Sequence, residues 1–251
     1  MRDCVDVKGN TILITGGATG IGFALAEAFS KLGNRVIICG RRQDRLEEAK
    51  QKLPDIHIKK CDVSKKEDQK MLFEWVNKEF GDLSMLINNA GIQRNIDFRK
   101  GTADLLKSDD EIDINLKAQV HLSAYFIPML SKQQESAIVN VSSGLGFAPL
   151  ALFPIYCATK AAIHSFSLSL RHQLRETPIK VFEVVPPTVY DTELKGRMIE
   201  KTEWSSSSIE VAEAVVTGIE HHEYEIAIGA SKNLTKSSRD GLDEAFKRMN
   251  H

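Results

Sequence analysis

The sequence TILITGGATGIG, residues 11–22, decides the fold because an apolar run passes directly into a loop with four glycines. Residues 11–15 are β-branched or aliphatic, which predicts a buried strand. The next stretch, 20–32, has apolar side chains at helical spacing, at Ile21, Leu25, Phe29 and Leu32. A strand, a glycine-rich turn and a helix in this order are typical of a dinucleotide-binding unit.

Three glycines of this loop have expected roles in holding a phosphate. Gly16 permits a tight turn, Gly20 allows close approach of the backbone, and Gly22 lets the helix pack on the strand. The free amides and the positive end of the helix attract a pyrophosphate. Without the flanking strand and helix, such glycines would be an ordinary turn about half the time.

Seven strand-like runs alternate with helical patterns along the chain. They are TILIT (11–15), RVIIC (35–39), IHIKKC (56–61), SMLIN (84–88), AIVNV (137–141), KVFEVV (180–185) and YEIAIG (224–229). This alternation predicts an α/β fold, a single-domain Rossmann-like doubly wound sheet of about seven parallel strands with helices on both faces. The domain is expected to span residues 1–251, with a substrate lid at about 188–207 and a polar C-terminal tail at 231–251.

Composition excludes several classes of function. The chain has 33 basic and 34 acidic residues, so it lacks the basic field of a nucleic-acid-binding protein. Its N-terminus has no long apolar run, and no segment approaches 18 consecutive apolar residues, so we expect no membrane span and a cytoplasmic location. The cysteines at 4, 39, 61 and 157 are scattered and have no histidine at zinc spacing, so we expect reduced thiols and no metal site.

The segment 109–130 is predicted to be a long helix with too many apolar positions for one narrow stripe. Part of its surface, and that of the predicted helix 156–176, is expected to contact another subunit. We therefore expect a homodimer or homotetramer.

Tyr156 and Lys160, in YCATK, open an apolar run at helical spacing, which puts both side chains on one face. The Lys160 ammonium is expected to lower the pKa of the phenol, about 10 in a free tyrosine, and to make Tyr156 a usable general acid. Ser143 ends the strand-like run AIVNVSS and is expected to orient a carbonyl oxygen beside the phenol. An isolated tyrosine and lysine at this spacing would more often be a helix surface pair. With the glycine loop upstream, the pair predicts hydride chemistry on a nicotinamide cofactor.

The second predicted strand runs into IICGRRQDR, residues 37–45. Directly after the apolar run, where NAD sites have a carboxylate that binds the ribose 2′-hydroxyl, this sequence has Gly40, Arg41 and Arg42. Arg41 and Arg42 suit a 2′-phosphate, so NADP(H) is favoured over NAD(H); the alternative is a solvated helix entry. Asp62 ends the third strand, where it is placed to accept a hydrogen bond from an adenine amino group. Its alternative role is to cap the next helix, for which Ser64 is the better candidate.

Several motifs, in order, resemble the short-chain dehydrogenase/reductase family over nearly the whole chain. TGGATGIG resembles its cofactor loop, CDV (61–63) its adenine contact, NNAG (88–91) its fourth-strand signature, and YCATK with Ser143 its catalytic residues. Asn115, in DINLKA, matches the asparagine that joins a water relay through the lysine. As a bare residue it would more often be a helix polar group bonded locally.

The resemblance implies roles for these residues. Tyr156 exchanges the proton, Ser143 holds the substrate oxygen, and Lys160 lowers the pKa of the tyrosine and binds the nicotinamide ribose; Asn115 completes the catalytic set. Hydride moves between C4 of nicotinamide and the carbonyl carbon. The expected cofactor-binding residues are Gly16, Thr19, Gly20, Ile21, Gly22, Arg41, Arg42, Asp62, Val63, Asn89, Ala90, Gly91, Tyr156, Lys160, Pro186, Val189 and Thr192.

The sequence departs from the family after the sixth strand, where VVPPTVYDTEL has Pro187 in place of the usual glycine. Proline fixes φ and lacks an amide donor, so contacts made by that glycine must change. Val189 is expected to offer an amide to the carboxamide, and Thr192 a hydroxyl to the phosphates. The segment is similar to a bacterial subgroup labelled DltE, a label from which we infer no alanyl-transfer chemistry.

The expected partner is a small-molecule substrate, a hydrophobic carbonyl compound or a secondary alcohol, because the predicted pocket wall is largely apolar. The substrate-binding residues are expected to be Gln93, Ser143, Leu145, Phe153, Tyr156 and Tyr190, with Met198 also on the wall. Arg94 is a further candidate, for a substrate carboxylate. Two alternatives are a non-catalytic nucleotide-binding regulator on the same fold and an epimerase or lyase variant.

Overall fold

The computed structural model describes residues 5–107, 110–192, 194 and 200–250, without the side chains of 242–247, 249 and 250. The strands in this part of the chain are β1 (Thr11–Thr15), β2 (Arg35–Gly40), β3 (His57–Lys60), β4 (Leu83–Asn88), β5 (Ser136–Val141), β6 (Ile179–Val185), β7 (Thr188–Val189), β8 (Ser205–Ser206) and β9 (Glu225–Ala227). The helices are α1 (Gly20–Lys31), α2 (Gln43–Lys52), α3 (Lys66–Glu79), α4 (Ala118–Leu130), α5 (Pro154–Gln173), α6 (Ser208–Glu220) and α7 (Ser231–Asn250).

Seven of these strands form one parallel sheet in the order β3-β2-β1-β4-β5-β6-β9. Each coincides with one of the seven strand-like runs, so the predicted fold class is confirmed. The sequence order reverses at β1, which lies between β2 and β4. At such a point the connections leave toward opposite faces, and a crevice opens at the carboxyl ends of the strands.

Both faces of the sheet are covered, which explains why the strands are apolar almost throughout. Ile12 and Ile14 of β1 pack in a cluster with residues of α1, α2 and α6, and Leu13 packs in a second cluster with residues of α3, α4 and α5. All three β1 side chains are fully buried. The sheet is therefore held rigidly between two helical layers, and its carboxyl edge is a fixed platform.

The predicted helix 109–130 is divided in the structure. It begins at residue 111, passes through a π-helical turn at Asp113–Lys117 and continues as α4, while residues 108 and 109 lie outside the described residues. A π-helical turn inserts an extra residue into the helical repeat and is frequent at functional sites. This turn contains Asn115, which is completely buried.

The predicted lid has both of its ends fixed, although 193 and 195–199 fall outside the described residues. The short strands β7 and β8 pair in parallel, and Tyr190 N donates to the Ser206 carbonyl at 3.2 Å. Asp191 accepts hydrogen bonds from the amide of Ser208 at 2.8 Å and from its hydroxyl at 2.9 Å. The two ends of the predicted lid are thus bonded to each other.

The start of α6 and the tail also have defined structure. Ser207 and Glu210 form a capping box, in which Glu210 N donates to Ser207 Oγ at 3.1 Å and Ser207 N donates to Glu210 Oε2 at 2.6 Å. The tail is helical, with a break in the helix at Gly241. No helix among the described residues is long and apolar enough to span a bilayer.

Replacing Ser207 by alanine removes the acceptor for the Glu210 amide. We expect Ser207→Ala to lower the free energy of unfolding by about 1 kcal/mol, the usual cost of losing an N-cap. The measurement is urea unfolding followed by circular dichroism. Ser169→Ala is the control, because Ser169 is exposed and its hydroxyl bonds only the carbonyl of Ser165 within α5. Equal unfolding midpoints for the two variants would show that the cap does not stabilise α6.

Candidate active site

The carboxyl edge of the sheet opens into a cleft of about 1120 Å³. Its lining starts at the glycine loop, follows the ends of β4 and β5, and finishes at the first turn of α7. A volume of this order is large enough for a dinucleotide and a small second ligand.

The glycine loop has the backbone conformations that its sequence requires. Gly16 and Gly20 have φ of +64° and +55°, where a side chain is strained. A Cβ on Gly22 would lie 2.3 Å from the Gly16 carbonyl oxygen, so α1 packs directly on the turn, as predicted. Thr19, the N-cap of α1, makes no side-chain capping bond. These residues fit a pyrophosphate, which would take the first-turn amides as donors.

The NNAG motif braces this loop from the neighbouring strand. Thr15 Oγ1 accepts from the amides of Asn89 and Ala90, each at 3.0 Å. The side-chain amide of Asn89 donates from Nδ2 to the Thr15 carbonyl oxygen at 2.9 Å, and Nδ2 is 3.3 Å from the Gly16 carbonyl oxygen. Asn88 donates to Asn140 Oδ1 on β5 at 2.9 Å. The motif therefore ties β1, β4 and β5 together at the edge where the cleft begins.

The far end of the cleft is lined by Gly40 and by four of the predicted cofactor residues, Arg41, Arg42, Asp62 and Val63. Their role at the adenosine half of a cofactor stays a prediction. Arg45, in the first turn of α2, also lines this end, where its guanidinium pairs with Glu48 at 2.8 Å. Sequence reasoning missed Arg45, although its place three residues after Arg42 at the start of a helix was visible.

Asp62 closes a local turn at this end. Its Oδ1 accepts from the amide of Ser64 at 3.1 Å and from the Ser64 hydroxyl at 2.7 Å. The N-cap of α3 is Lys65, without a side-chain bond, so the expectation that Asp62 or Ser64 caps this helix is wrong.

The segment after β6 crosses above the glycine loop. A Cβ on Gly20 would lie 2.9 Å from Thr192 Cγ2, so Thr192 is close to the loop. Its hydroxyl donates to the Val189 carbonyl at 3.2 Å. Pro186, Pro187, Val189 and Thr192 all line the cleft. Pro186 also accepts from Gly144 N at 3.2 Å, which links this segment to the turn after Ser143.

Ser143 and Tyr156 meet in the middle of the cleft. Ser143 follows β5, and its hydroxyl accepts from the amide of Leu145 at 3.2 Å. Tyr156 lies in the first turn of α5, which starts at Pro154, and its phenol is hydrogen-bonded to the Ser143 side chain. Both residues are nearly buried, with 6% and 5% of their surfaces exposed. The predicted pair of hydroxyls is thus brought together.

Lys160 and Asn115 lie behind this pair. Lys160 Nζ is 5.6 Å from the centre of the Tyr156 ring and donates to the Val141 carbonyl at 2.8 Å. Asn115 donates to the Ile92 carbonyl at 2.9 Å, and its Oδ1 accepts from the amide of Ile92 at 2.9 Å. Asn115 also contacts Thr159, beside Lys160, at 3.3 Å. All four predicted catalytic residues therefore occupy one region.

The protonation tendencies of this set differ from the prediction. Burial raises the pKa of Tyr156 to about 12, with the Ser143 hydrogen bond opposing it and the charges of Cys157 and Glu111 adding to it. Burial also lowers the pKa of Lys160 to about 8. The expected lowering of the tyrosine pKa by Lys160 is not found, because loss of hydration outweighs the other effects on this phenol. The chain's own groups thus keep Tyr156 protonated and bring Lys160 close to titration at neutral pH.

The apolar end of the cleft includes most of the predicted substrate residues, namely Gln93, Ser143, Leu145, Phe153 and Tyr156. Tyr190 is not part of the lining; its ring instead has Lys201 Nζ 5.5 Å from its centre. Arg94, the candidate for a substrate carboxylate, is not part of the lining either. Its guanidinium pairs with the buried Glu111 at 3.6 Å. Met198 lies outside the described residues.

Several lining residues were missed by sequence reasoning. Trp204 borders the cleft although it is 62% exposed, and the first turn of α7 contributes Ser231 and Leu234. A Cβ on Gly144 would lie 2.5 Å from Ser231 Oγ, so α7 packs against the turn after Ser143. In the sequence, the apolar Leu234 within a polar tail indicated that this part of the tail packs against the domain.

The absence of a metal site stays a prediction. Among the described residues, donor atoms of His164, Glu183 and Glu225 lie within 4.8 Å of one another. They are already bonded within the protein, to one another, to Ser142 and to Arg239.

Comparison with known proteins agrees with this geometry. The protein-family model described as short chain dehydrogenase matches residues 10–203. The chain is 51% identical over 244 residues to a protein of Bacillus subtilis named "Uncharacterized oxidoreductase DltE", covering 96% of each chain.

Two solved structures share the fold. A short-chain dehydrogenase from Sphingobium yanoikuyae in complex with NADPH has a TM-score of 0.78 at 28% identity, covering 94% of this chain and 95% of the other. A short chain dehydrogenase/reductase from Burkholderia phymatum in complex with NAD has a TM-score of 0.81 at 20% identity, covering 98% and 97%.

The contact between Gly22 and the Gly16 carbonyl leads to a test of the cofactor loop. We expect Gly22→Ala to lower the free energy of unfolding by about 1–3 kcal/mol, because the added methyl group forces backbone apart. Binding of NADPH, followed by its fluorescence, should weaken in parallel. Gly81→Ala is the control, since a Cβ there comes no closer than 3.8 Å to its neighbours. A Gly22→Ala variant as stable as the control would contradict the close packing described above.

Proposed function

The chain belongs to the short-chain dehydrogenase/reductase family and is an NAD(P)-dependent oxidoreductase; we propose that it uses NADP(H) and acts on a small hydrophobic carbonyl compound or secondary alcohol. The observation that carries the proposal is the meeting of Ser143, Tyr156 and Lys160 in a cleft that is continuous with the glycine loop. This meeting supports a role for Tyr156 as a proton donor beside a bound nicotinamide ring.

Tyr156 is the proton donor in the proposed reduction. With a pKa of about 12 the phenol is protonated at neutral pH, so it can give its proton to a carbonyl oxygen as that oxygen becomes negative. The contact with Ser143 positions the phenol in the unliganded site, and when a substrate binds each hydroxyl can turn to donate its single proton to the carbonyl oxygen. In oxidation Tyr156 takes the proton back.

The remaining polar groups hold the reactants. The glycine loop and the first turn of α1 bind the pyrophosphate, and Lys160 binds the nicotinamide ribose through its ammonium group. Asn115 fixes Ile92 and so shapes the floor of the cleft. A bound nicotinamide supplies or accepts the hydride at its C4 carbon.

Preference for NADP(H) is supported by the charges at the adenosine end. Gly40 ends β2, where an NAD site would have a carboxylate, and Arg41, Arg42 and Arg45 line the cleft beside it. Guanidinium groups bind phosphate through paired, charge-assisted hydrogen bonds. A 2′-phosphate is therefore the ligand group that this end fits best.

The apolar end of the cleft supports a hydrophobic substrate. Leu145, Leu150, Phe153 and Leu234 line it, with Trp204 at its exposed margin. Apolar walls with a few oriented polar groups favour a compact ligand whose one polar centre is its carbonyl or hydroxyl group.

A homo-oligomer in the cytoplasm completes the proposal. The two predicted contact segments, 109–130 and 156–176, each have an exposed apolar side chain, Ile112 at 39% and Leu168 at 47%. The described cysteines, Cys39, Cys61 and Cys157, are free thiols, which agrees with a reducing compartment.

The test of this function is NADPH oxidation by the purified protein across aldehydes, ketones and diketones. We expect turnover with a hydrophobic member of the panel and a loss of at least about 100-fold in Tyr156→Phe, because the proton donor is removed. NADPH binding should be unchanged in that variant, since the ring remains.

Tyr190→Phe removes a phenol outside the cleft lining and should keep the parent rate. Turnover by Tyr156→Phe at the parent rate would exclude this tyrosine as the proton donor. Product formation without net NADPH oxidation would instead indicate an epimerase or lyase, and NADPH binding without any turnover a regulator.

Cofactor preference has its own test. In Arg41→Ala/Arg42→Ala we expect the KM for NADPH to rise about tenfold or more, since a hydrogen bond to a charged group contributes about 1.5–3 kcal/mol. The KM for NADH should change little, because NADH lacks the 2′-phosphate. Arg175→Ala, an exposed arginine at the end of α5, is the control. Equal losses with both cofactors would contradict a 2′-phosphate site at these arginines.

A further inference from the structure

A carboxylate is completely buried under the catalytic residues. Glu183, in the middle of β6, has none of its surface exposed. It accepts a hydrogen bond from Ser142 Oγ at 2.5 Å and is 2.7 Å from His164 Nδ1. A buried carboxylate is costly unless it is paired and hydrogen-bonded, and both conditions are met by these two partners.

The two partners of Glu183 are neighbours of the catalytic residues in sequence and space. Ser142 directly precedes Ser143 at the end of β5. His164 follows Lys160 by four residues, so the two side chains lie on the same face of α5. Glu183 is therefore bonded on one side to the strand end that carries Ser143, and on the other to the helix that carries Tyr156 and Lys160.

The charges around this group favour a protonated lysine. Lys160 is 3% exposed, and burial lowers its pKa to about 8, while the Glu183 carboxylate acts in the opposite direction. The hydrogen bond to Glu183 raises the pKa of His164, with Glu225 adding to this and both burial and Arg239 opposing it. Burial lowers the pKa of Arg171, farther along α5, and Glu183 and Glu225 oppose this. Glu183 thus stabilises positive charge on three residues of α5, namely Lys160, His164 and Arg171.

The environment of His164 is well defined. Its ring lies 4.5 Å from that of Phe147, between centres, and Glu225 approaches from β9. Glu225 is itself paired with Arg239 of α7 at 2.6 Å. The groups that act on Tyr156, by contrast, are Ser143, Cys157 and Glu111. A change at Glu183 should therefore affect Lys160 without directly affecting the phenol.

We propose that Glu183 and His164 are positioning residues for the reaction: their buried pair keeps the Lys160 side chain positively charged and holds Ser142, and with it Ser143, at the edge of the cleft. The inference rests on the proposed function, because both residues act through side chains assigned to it. A buried ion pair is a weak source of stability compared with apolar residues of similar size. In this site the pair acts by favouring the charged form of Lys160.

The test is the pH dependence of kcat/KM for NADPH-dependent reduction. In the parent, activity should fall on the alkaline side as Lys160 loses its proton near its pKa of about 8. Glu183→Gln keeps the size of the side chain and removes the negative charge, so Lys160 should lose its proton at lower pH. We expect the alkaline limb to move down by about 1 pH unit.

Glu225→Gln is the matched control. It removes the same charge from the same cluster, one strand farther from Lys160, and should leave the alkaline limb in place. Its loss of the Arg239 pair should lower only thermal stability. A shift in Glu225→Gln as large as in Glu183→Gln would overturn the assignment to Glu183.

A second variant covers the case in which Glu183→Gln does not fold because it removes the carboxylate that is hydrogen-bonded to His164. Glu183→Gln/His164→Gln replaces the pair by two neutral side chains that can bond each other, so that no single charge of the pair stays buried alone. It should also move the alkaline limb down, by no more than Glu183→Gln does, because any positive charge on His164 that opposes protonation of Lys160 is lost as well. Profiles that superimpose on the parent, or failure of both variants to fold, would overturn the proposal by assigning the pair to stability alone.

The outcomes separate the two proposals. A parent without NADPH-dependent turnover would overturn the proposed function and this inference with it. An active parent whose pH profile is unchanged by loss of Glu183 would overturn the inference and leave the function standing.

Discussion

The structure depends on the absence of side chains where β1 turns into α1. The Gly16 carbonyl, the backbone of Gly22 and the Asn89 amide are so close that a Cβ on Gly22 would overlap with both neighbours. This contact fixes the angle at which the helix leaves the sheet and brings its first turn to the crevice. Asn89 and Thr15 then bond the same turn to β4. The glycine loop, where we propose that phosphate binds, and the central strands are thus one unit, built from backbone and two polar side chains.

The groups that we propose to be catalytic follow a different principle, in which burial sets the protonation state. Tyr156 and Lys160 are both removed from water, and this raises the pKa of the phenol and lowers that of the amine. Both shifts favour the neutral forms. A negative charge near Lys160 opposes the loss of its proton, and the buried Glu183 carboxylate of β6 is such a charge. A cation near the phenol is thus insufficient by itself to make it acidic.

Much of the fold and the centre of the site could be predicted from sequence, because both depend on local patterns. The seven strands are short apolar runs bounded by turns, and the glycine loop, Ser143, Tyr156 and Lys160 are set by spacing along single elements. What failed depends on contacts between distant segments. Tyr190 is adjacent to lining residues in sequence, but its ring lies beside Lys201. The approach of α7 to Gly144 joins residues nearly ninety positions apart, and no local pattern announces it. Desolvation of Tyr156 likewise results from the whole surrounding core.

The packing of α7 on Gly144 has a consequence for how this enzyme can diversify. The turn after Ser143 leaves no room for a side chain at Gly144, so its shape depends on this glycine. Leu234, on the opposite side of the contact, belongs to the tail and takes no part in the chemistry, yet it lines the cleft. Changes in ligand size can therefore be acquired by drift in the last helix while the reactive centre stays untouched.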